Sequence, residues 1–531
     1  LDSVSNGSLG KVTSVFLRGT EADHVLVLVD GVKIGSPTLG VVSFQDLPVN
    51  QIERIEIVRG PRSSLYGSEA IGGVIQIFTR KGDMANHQEL SSGIGTDRTY
   101  ELHASLAGAE ATQWYTLQAN HLQSRGFNSC AGNLQGGCFT IEPDDDSYDN
   151  TSFSLGFGRR FGYINLAAQA LRIHGNNEFD SAFNNQTDFV QQIVGLTADM
   201  VVNDHWQMNW HFGNNRDRLN NSGHTLDTDF TTERTTFSWQ NNLWLATGQT
   251  LTLGYDYQQD KVDSTVAYTA TTRDNHGLFA QYQTKLEKLD ILAGLRYDDN
   301  EQFGNYHTGN IAFGYPITPT LHAVTSYGTA FKAPTFNELY YPGSEGFPAY
   351  GNPLLQPEES HSVEIGLTST HDDYRWSLNG YRTHINELIS GFPASNLETA
   401  RILGLESTVN WQLADWEINA TLSWLRPENT NTGQLLPRRA EKTLNLDFSR
   451  LFGAIRLSGH ILAQSHRFED IANTQRLGGY ATLNLQSEYR LSKSWQIRAR
   501  LDNILDKDYQ TALFYNLPGR TAFISVHYQH E

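Results

Sequence analysis

The sequence predicts an all-β membrane protein: a 22-stranded antiparallel transmembrane β-barrel with a small α/β plug domain in its lumen. Three observations lead to this fold class. From about residue 86 onwards, segment after segment alternates apolar and polar residues, so that each strand has one apolar and one polar face. The segments number 22, which is even, and short turns alternate with long polar loops. Both properties are typical of outer-membrane barrels.

Residues 1–82 have a different pattern and are predicted to form the plug. Val25–Val29 is a short apolar run, residues 51–58 alternate, and residues 70–79 have the character of a third strand with a glycine pair. Short apolar strands separated by glycine and proline turns indicate a compact unit. A barrel of this size has a lumen too wide for its own side chains to fill. The leading unit is therefore interpreted as the plug, and residues 86–531 as the barrel.

The barrel region supplies the alternation. Residues 416–424 and 495–502 each place tryptophan, isoleucine, alanine and leucine on one face and polar residues on the other. Closing such a sheet on itself leaves no unpaired edge in lipid. The long loops are predicted at residues 126–149, 217–231 and 333–359. Tryptophans near strand ends favour aromatic girdles at the membrane interfaces over the core of a soluble β-sandwich; they are Trp114, Trp206, Trp210, Trp376, Trp416, Trp424 and Trp495.

Composition narrows the function classes. Mean hydropathy is −0.44, and no apolar run approaches the ~20 residues of a membrane helix, but transmembrane strands also average out as hydrophilic. The formal net charge of −19 argues against binding to nucleic-acid phosphates and is compatible with acidic exterior loops or with cation binding. The 18 histidines are scattered. Because no metalloprotease, nucleophile-elbow or P-loop motif occurs, we do not expect an enzyme.

The two cysteines, Cys130 and Cys138, lie in one polar stretch. A local disulfide formed in an oxidising compartment is favoured over two free thiols, and a metal site lacks further ligands nearby. No signal peptide is visible at the N-terminus, so the sequence is interpreted as mature or truncated.

Long and specific motifs run through both regions. In order they are Val25–Val32, Ile52–Arg62, Leu65–Val74, Ser326–Pro334, Tyr350–Pro353 and Asn503–Tyr509. On these segments the chain resembles the TonB-dependent receptors of the Gram-negative outer membrane, over nearly its whole length. The resemblance implies a plugged barrel that actively transports a bulky nutrient across the outer membrane.

Within that family, the residues Phe16–Thr20, Arg59–Ser63 and Leu436–Ala440 are most similar to the members that import cobalamin (vitamin B12). The resemblance therefore implies cobalamin or another corrinoid as cargo. A siderophore or haem receptor on the same scaffold is the first alternative, and a passive pore or adhesin is the second. The implied partners are TonB of the inner-membrane energising complex, outer-membrane lipid and lipopolysaccharide, and we expect a monomer.

Two features depart from the family pattern. The sequence begins at Leu1, well inside the expected plug, so the energy-coupling segment (the TonB box) is expected to be missing from it. Family members usually end on an aromatic residue, whereas here Tyr528 is followed by three further residues. The resemblance therefore does not carry the usual C-terminal assembly signal over to this chain.

The resemblance also implies an ion-pair cluster that locks the plug to the barrel wall. Arg18 and Arg59 each precede a glycine in the plug, and Glu364 and Glu406 face inward by alternation. Opposite charges in a confined seam are stable only as pairs, because an unpaired buried charge is costly. The alternative is four unrelated charges in a wet lumen.

Two plug segments are predicted to face the exterior and to contact the cargo. Both are rich in glycine and serine, so backbone donors approach a ligand closely. Their candidate residues are Ser5, Asn6, Gly7, Ser8, Ser36, Pro37, Thr38 and Leu39. Aromatic loop residues are further candidates, namely Tyr340, Tyr341, Phe347, Tyr350, Phe514 and Tyr515. The alternative is ordinary turns and loop packing.

Acidic residues cluster in two predicted exterior loops. Clusters of carboxylate oxygens suit Ca²⁺, and the resemblance implies calcium as a cofactor that orders these loops. The candidate ligands are Asp180, Asp188, Asp217, Asp227 and Asp229, with Glu178 beside them. The alternative is a set of solvated loop charges.

Overall fold

The computed structural model describes residues 2–81, 86–224, 227–343 and 349–530. Its main feature is one closed sheet of 22 strands in which neighbouring strands are antiparallel. The last strand of the barrel pairs with the first, which places Tyr528 opposite Leu90. The predicted fold class and strand number are therefore confirmed.

The plug precedes the barrel in the chain. Its helical parts are the short helix α1 (Ser63–Tyr66) and the 3₁₀ turns Ala22–His24, Phe44–Asp46 and Val49–Gln51. Its strands are β1 (Asp2–Ser5), β2 (Thr13–Phe16), β3 (Val25–Val29), β4 (Val32–Ile34), β5 (Ile52–Arg59) and β6 (Gly73–Thr79).

The barrel occupies the rest of the chain. Its first half consists of β7 (His87–Gly95), β8 (Thr99–Glu110), β9 (Gln113–Ser124), β10 (Tyr148–Phe161), β11 (Ile164–Glu178), β12 (Gln186–Asn203), β13 (Trp206–Ser222), β14 (Thr228–Ala246), β15 (Gln249–Ser264), β16 (Thr272–Leu286) and β17 (Leu289–Asn300). Its second half consists of β18 (Gly304–Pro316), β19 (Leu321–Lys332), β20 (Glu358–Thr370), β21 (Tyr374–Ser390), β22 (Ser395–Leu413), β23 (Trp416–Asn429), β24 (Lys442–Phe452), β25 (Ile455–Gln464), β28 (Tyr480–Arg490), β29 (Trp495–Asp502) and β30 (Thr521–His530). Exterior loops carry helix α2 (Phe336–Tyr340) and a hairpin of β26 (Arg467–Phe468) and β27 (Arg476–Leu477).

The predicted loop at residues 217–231 is wrong at both ends. Strand β13 continues to Ser222 and β14 starts at Thr228, with Asn220 paired to Asp229. The ladder extends beyond the apolar band of the barrel, where both faces of a strand meet water. Polar residues then occupy both faces, so the alternation on which the prediction depended is lost.

The outer face of the barrel is apolar. Leu295 is 73% exposed and Ile365 is 62% exposed, as expected for side chains that face lipid. Trp416 and Trp495 each begin a strand next to a short turn, in keeping with a girdle at that rim. Trp114 instead packs inside, over two glycines of β10. No helix in the described part of the chain is long and apolar enough to span a membrane.

The plug sheet has the strand order β4-β3-β6-β5, and its central pair is parallel. All five positions of β3 are apolar and buried, because both of its faces are covered. The edge strand β4 lies against β12, β13 and β14, where Val32 packs over Gly195 and Gly213. A Cβ atom at either glycine would lie 3.0 Å from a Val32 methyl carbon. Glycine at these positions therefore lets the plug approach the wall closely.

Replacing Leu295 by arginine should destabilise the barrel by about 2–4 kcal/mol, because the guanidinium would lie in the hydrocarbon near the middle of β17. The free energy of unfolding in lipid vesicles, measured by denaturant titration, checks this. Leu286→Arg is the matched control: Leu286 is also exposed but ends β16 beside a turn, where the cost falls to about 0–1 kcal/mol. Equal losses at the two positions would contradict the assigned membrane band.

Candidate functional site

The four charged residues assigned to a plug–wall lock come together on one side of the plug. Arg18 lies in the turn after β2 with a φ of 56°. Its Nη1 and Nη2 donate to the two carboxylate oxygens of Glu364 at 3.0 and 2.8 Å, and its Nε donates to Glu406 at 3.2 Å. Arg59 reaches the same Glu406 at 3.9 Å. The ring centroid of Tyr381 lies 4.3 Å from the Arg18 Cζ atom.

The charge of Arg18 depends on these partners. The residue is only 6% exposed, and burial by itself lowers the pKa of the guanidinium. The hydrogen bond from Arg18 to Glu364 and the charges of Glu406 and Glu364 more than offset this effect, so the pKa is raised overall. Removing one carboxylate would leave part of a buried cation uncompensated, which costs more than an intact pair contributes. The lock therefore fixes the plug to β20 and β22.

A second plug–wall cluster was not predicted. The Lys332 ammonium lies 2.8 Å from Asp23 and 3.1 Å from Glu358, and Glu358 also hydrogen-bonds His24 at 3.0 Å. All of these side chains except Asp23 are almost fully buried. Alternation in a strand shows that a charged residue faces the lumen, but not whether it contacts the plug or water. The sequence therefore contains no indication of this cluster.

An open cavity of about 450 Å³ lies between the plug apices and the exterior loops. Its volume is within the ~300–1,000 Å³ that is typical of ligand pockets, and its open side lets a cargo extend beyond it towards the exterior. The plug and strands β12, β13 and β14 form most of its lining. The aromatic lining residues are Phe179, Phe189, Phe230, Tyr341 and Tyr515. The amide lining residues are Asn6, Gln45, Asn177, Gln191, Asn221 and Asn337.

Part of the predicted cargo site lines this cavity. The structure brings together Asn6, Ser36, Thr38, Leu39, Tyr341 and Tyr515. Pro37 contributes differently: its carbonyl accepts a hydrogen bond from the Phe336 backbone N–H at 3.1 Å, and the Thr38 carbonyl accepts one from Asn337 at 3.3 Å. These bonds attach helix α2 to the plug apex.

The other predicted plug contacts are in loop packing instead. The Ser5 N–H donates to the Thr511 hydroxyl at 3.0 Å, and the Ser8 hydroxyl lies 3.3 Å from that of Ser129. Gly7 abuts Ser129 so closely that a Cβ atom would clash. Exterior loops cover these three residues in this conformation, and their role as cargo contacts stays a prediction.

Three aromatic candidates are also placed outside the cavity. Tyr340 and Tyr350 pack in an apolar cluster with Leu339 beneath the loop that follows β19. Phe514 covers two glycines of the loop that follows β9. They form the cores of exterior loops, which the sequence cannot distinguish from a ligand site. Phe347 lies outside the described residues.

Acidic groups outnumber basic ones on the described lining: Asp46, Asp180 and Asp217 against Lys11. Lys11 is 2% exposed, and its ammonium donates to the Asn177 side chain at 2.8 Å and to backbone carbonyls. Burial lowers the pKa of Lys11 to about 8 and raises the pKa of Asp46 and of Asp180 to about 7. The cavity lining is therefore neutral to acidic. Its one described basic side chain, Lys11, already donates hydrogen bonds to protein groups.

The disulfide between Cys130 and Cys138 closes part of the loop that follows β9. Cys130 itself lines the cavity. Its backbone N–H donates to the Asp180 carboxylate at 3.0 Å, and its backbone forms an isolated bridge with Tyr515. The cross-linked loop is thus part of the cavity wall.

The five aspartates predicted as calcium ligands do not form one ligand set. Asp180 and Asp217 belong to the cavity lining. Asp188 accepts a hydrogen bond from an asparagine of β11 at 2.8 Å, Asp229 pairs with an arginine of β13 at 2.8 Å, and Asp227 is exposed just before β14. Among the residues that the structure describes, no three His, Cys, Asp or Glu side chains are placed to share a metal ion.

Family comparison agrees with this architecture. Residues 90–504 match the family described as TonB dependent receptor-like, beta-barrel, and residues 2–74 match the TonB-dependent Receptor Plug Domain. The chain therefore belongs to the TonB-dependent receptors, which lie in the bacterial outer membrane and transport bulky nutrients with the help of TonB.

Its relatives within that family include transporters named for vitamin B12. The vitamin B12 transporter BtuB of Photobacterium profundum is 30% identical over 542 residues, which cover 99% of this chain and 88% of that protein. The BtuB of Vibrio vulnificus is 29% identical over 567 residues, which cover 99% and 87%.

Solved structures with the same architecture include siderophore receptors. The ferric enterobactin receptor PfeA of Pseudomonas aeruginosa has a TM-score of 0.84 at 20% identity, and the siderophore receptor PirA of Acinetobacter baumannii has 0.85 at 16% identity. Each comparison covers 100% of this chain and 94% of the other. At such low identity the likeness shows the fold alone.

Glu364→Gln should loosen the plug, because Arg18 loses the charge of its bidentate partner. We expect the free energy of plug unfolding to fall by about 3 kcal/mol, as for a broken buried pair. Hydrogen exchange of the β3 and β6 amides measures this. The control is Glu417→Gln, whose pair with Arg456 is exposed and contributes less than about 1 kcal/mol. Unchanged exchange in Glu364→Gln would contradict the lock.

The buried carboxyl of Asp46 should make plug stability depend on pH. Its pKa is about 7 in the folded protein and about 4 in an unfolded chain, so the folded state holds its proton longer. The free energy of plug unfolding should therefore decrease as pH rises from about 4 to about 7. Asp46→Asn should flatten this slope, whereas Asp227→Asn, at an exposed position, should keep it. Hydrogen exchange across this pH range, corrected for intrinsic rates, provides the measurement; an unchanged slope in Asp46→Asn would refute the assignment.

Proposed function

We propose that this receptor binds cobalamin or a related corrinoid in the exterior cavity and delivers it chemically unchanged towards the periplasm. The observation that carries the proposal is the composition of the cavity, which is lined by amides and aromatic rings and is neutral to acidic. A corrinoid is bulky, bears carboxamide groups around its ring, and has a broad apolar face. Amide side chains match the carboxamides as donors and acceptors, and aromatic residues such as Phe179 and Tyr515 suit the apolar face.

The relatives support the same cargo. Transporters named for vitamin B12 match this chain over 99% of its length at 29–30% identity. Since one receptor scaffold serves several cargoes, that likeness adds to the argument from the cavity and does not replace it.

A ferric siderophore or haem fits the lining less well. Catecholate complexes and haem propionates are anionic and call for arginine or lysine partners. The described lining instead carries Asp46, Asp180 and Asp217 with Lys11 alone, and Lys11 is buried and already hydrogen-bonded. An anionic cargo would therefore meet like charge at the floor of the cavity.

A passive pore or an adhesin is also disfavoured as the function. The plug occupies the lumen and is held by the buried contacts of Arg18 and Lys332, so an open pore would require those contacts to break. If the protein were a passive pore, uptake would continue in cells that cannot energise TonB. The proposed receptor requires energy and acts without catalysing a reaction, as a monomer in contact with outer-membrane lipid and lipopolysaccharide.

Calcium stays a prediction of the sequence, because the five aspartates do not form a set of metal ligands in this conformation. A binding assay with and without Ca²⁺ tests it directly. If calcium orders the exterior loops, affinity for the cargo should rise when millimolar Ca²⁺ replaces a chelator.

The cargo is tested by titrating the purified receptor with cyanocobalamin and, in parallel, with a ferric catecholate complex. We expect saturable binding of cyanocobalamin and at least about 100-fold weaker binding of the anionic complex, a difference of about 3 kcal/mol. No saturable binding of cyanocobalamin, or tighter binding of the catecholate, would overturn the proposal.

Thr38→Trp ties the binding to this cavity. Overfilling a packed site costs about 1–3 kcal/mol, so affinity for cyanocobalamin should fall about 10- to 100-fold. The control is Thr430→Trp, in an exposed loop outside the lining, which should bind as the unmodified receptor does. Equal affinities of the two variants would place the cargo elsewhere.

A further inference from the structure

A second cavity, of about 250 Å³, lies between the plug and strands β13–β17, and on β13 and β14 its lining is farther from the exterior than that of the first cavity. Its lining is polar and rich in amides, with Gln76 from the plug and Gln240, Gln258, Asn275 and Asn300 from the wall. We call it the lower cavity, and the exterior one the upper cavity. The lower cavity provides hydrogen-bonding groups of the same chemistry as the upper one.

The plug edge strand β4 separates the two cavities. Before and within it, Gly31 and Lys33 line the lower cavity, whereas Gly35 and Ser36 line the upper cavity immediately after it. The wall shows the same division. On β13, Asp217 lines the upper cavity and His211 the lower, and on β14 Thr232 and Thr236 divide in the same way.

The division on β14 falls at Arg234, the inward residue between the two threonines. Its guanidinium donates to both carboxylate oxygens of the plug residue Glu69, at 2.8 and 2.7 Å. It also donates to Asp260 of β15 at 2.7 Å. Arg234 is 2% exposed, and Glu69 and Asp260 line the lower cavity, so this pair spans the wall–plug gap at the border between the cavities.

Backbone pairing holds β4 on one side only. It pairs with β3 at three positions and lies at the edge of the plug sheet, while Val32 and Ile34, each 2% exposed, pack in the apolar core. Against the wall, Val32 packs over Gly195 and Gly213, and the Lys33 ammonium donates to Gln258 at 3.3 Å. An edge strand of this length is able to leave without breaking the pairing of β3 with β6. Such weakly held segments open at lower free energy than the core does.

We propose that β4 and the Glu69–Arg234 pair form a removable partition, and that cargo crosses the barrel from the upper to the lower cavity along β13–β17. The route runs apart from β20 and β22, where Arg18 locks the plug. The proposal rests on the proposed function for the identity of the cargo. It makes Glu69 and Arg234 positioning residues for transport, because they act by holding the partition in place.

This route leaves no buried cation without a partner. Moving β4 aside breaks three strand pairs, the Lys33–Gln258 hydrogen bond, the apolar packing of Val32 and Ile34 and one charged pair, and Arg234 keeps Asp260 as a partner. A route past Arg18 would instead require breaking the buried ion pairs of Arg18 with two carboxylates, and Tyr381 packs against the same guanidinium. A desolvated cation that loses all of its partners is the costlier event.

Two engineered disulfides test the route in the full-length receptor. In Val32→Cys with Gly213→Cys, a sulfur at the position of a Val32 methyl carbon would lie 3.0 Å from the new Cβ, which suits a disulfide and locks the partition. In Pro61→Cys with Gly328→Cys, the Cβ atoms would be 3.5 Å apart, within disulfide range. This second pair locks the plug to β19, outside the lining of the lower cavity.

Uptake of labelled cyanocobalamin by energised cells, and its binding to the same cells, are compared with and without reductant. We expect both oxidised variants to bind normally, the Val32–Gly213 cross-link to abolish uptake until it is reduced, and the Pro61–Gly328 cross-link to leave most uptake intact. Uptake through the oxidised Val32–Gly213 variant would overturn the proposal, and so would a block by both cross-links, since the plug would then have to leave as a whole. Failure of the unmodified receptor to bind cyanocobalamin would instead refute the cargo.

Discussion

Lipid offers no hydrogen-bond partners to a backbone, and the rest of the structure depends on this constraint. It requires a closed sheet, and the ring of 22 strands encloses a lumen that must be filled. The filler is a folded domain with an apolar core, and its contact with the wall combines apolar packing, such as that of Ile71 with Ile402, with polar and charged groups. Because those contacts are desolvated, the charged ones occur as pairs and clusters, as at Arg18 and Lys332. The same interface holds the plug in place and leaves the upper and lower cavities between plug and wall.

The sequence predicted the barrel well because alternation is a local property. In β23, the outward residues from Trp416 to Trp424 alternate with polar inward residues, which marks this part of the strand in the sequence. The same reasoning was wrong at β13 and β14, where strands continue into water and the period disappears. The number of strands is thus easier to predict than their length. Apolar and polar residues alternate where one face of a strand contacts lipid, and this alternation is lost where both faces contact water.

The site was predicted less completely, since its residues meet only through the fold. Thr38 and Leu39 were predicted to lie at the site because they belong to a glycine- and serine-rich segment of the plug, where backbone groups approach a ligand closely. Lys11 and Asp46 were missed, since nothing in the sequence indicates that a charge next to ordinary turn residues will be buried in a cavity wall. Tyr350 and Phe514 look like ligand contacts in sequence but form loop cores. Sequence composition cannot separate an aromatic residue that awaits a ligand from one that is already packed.

The pairing of Tyr528 with Leu90 has a consequence for how the molecule is made. The strand that completes the ring, β30, is the last of the 22 in sequence order, and its partner β7 is the first strand after the plug. Contacts between such distant parts of a chain form slowly. Closing this seam also encloses Val32 over its two wall glycines and Arg18 between its two carboxylates, so each barrel surrounds the plug of its own chain.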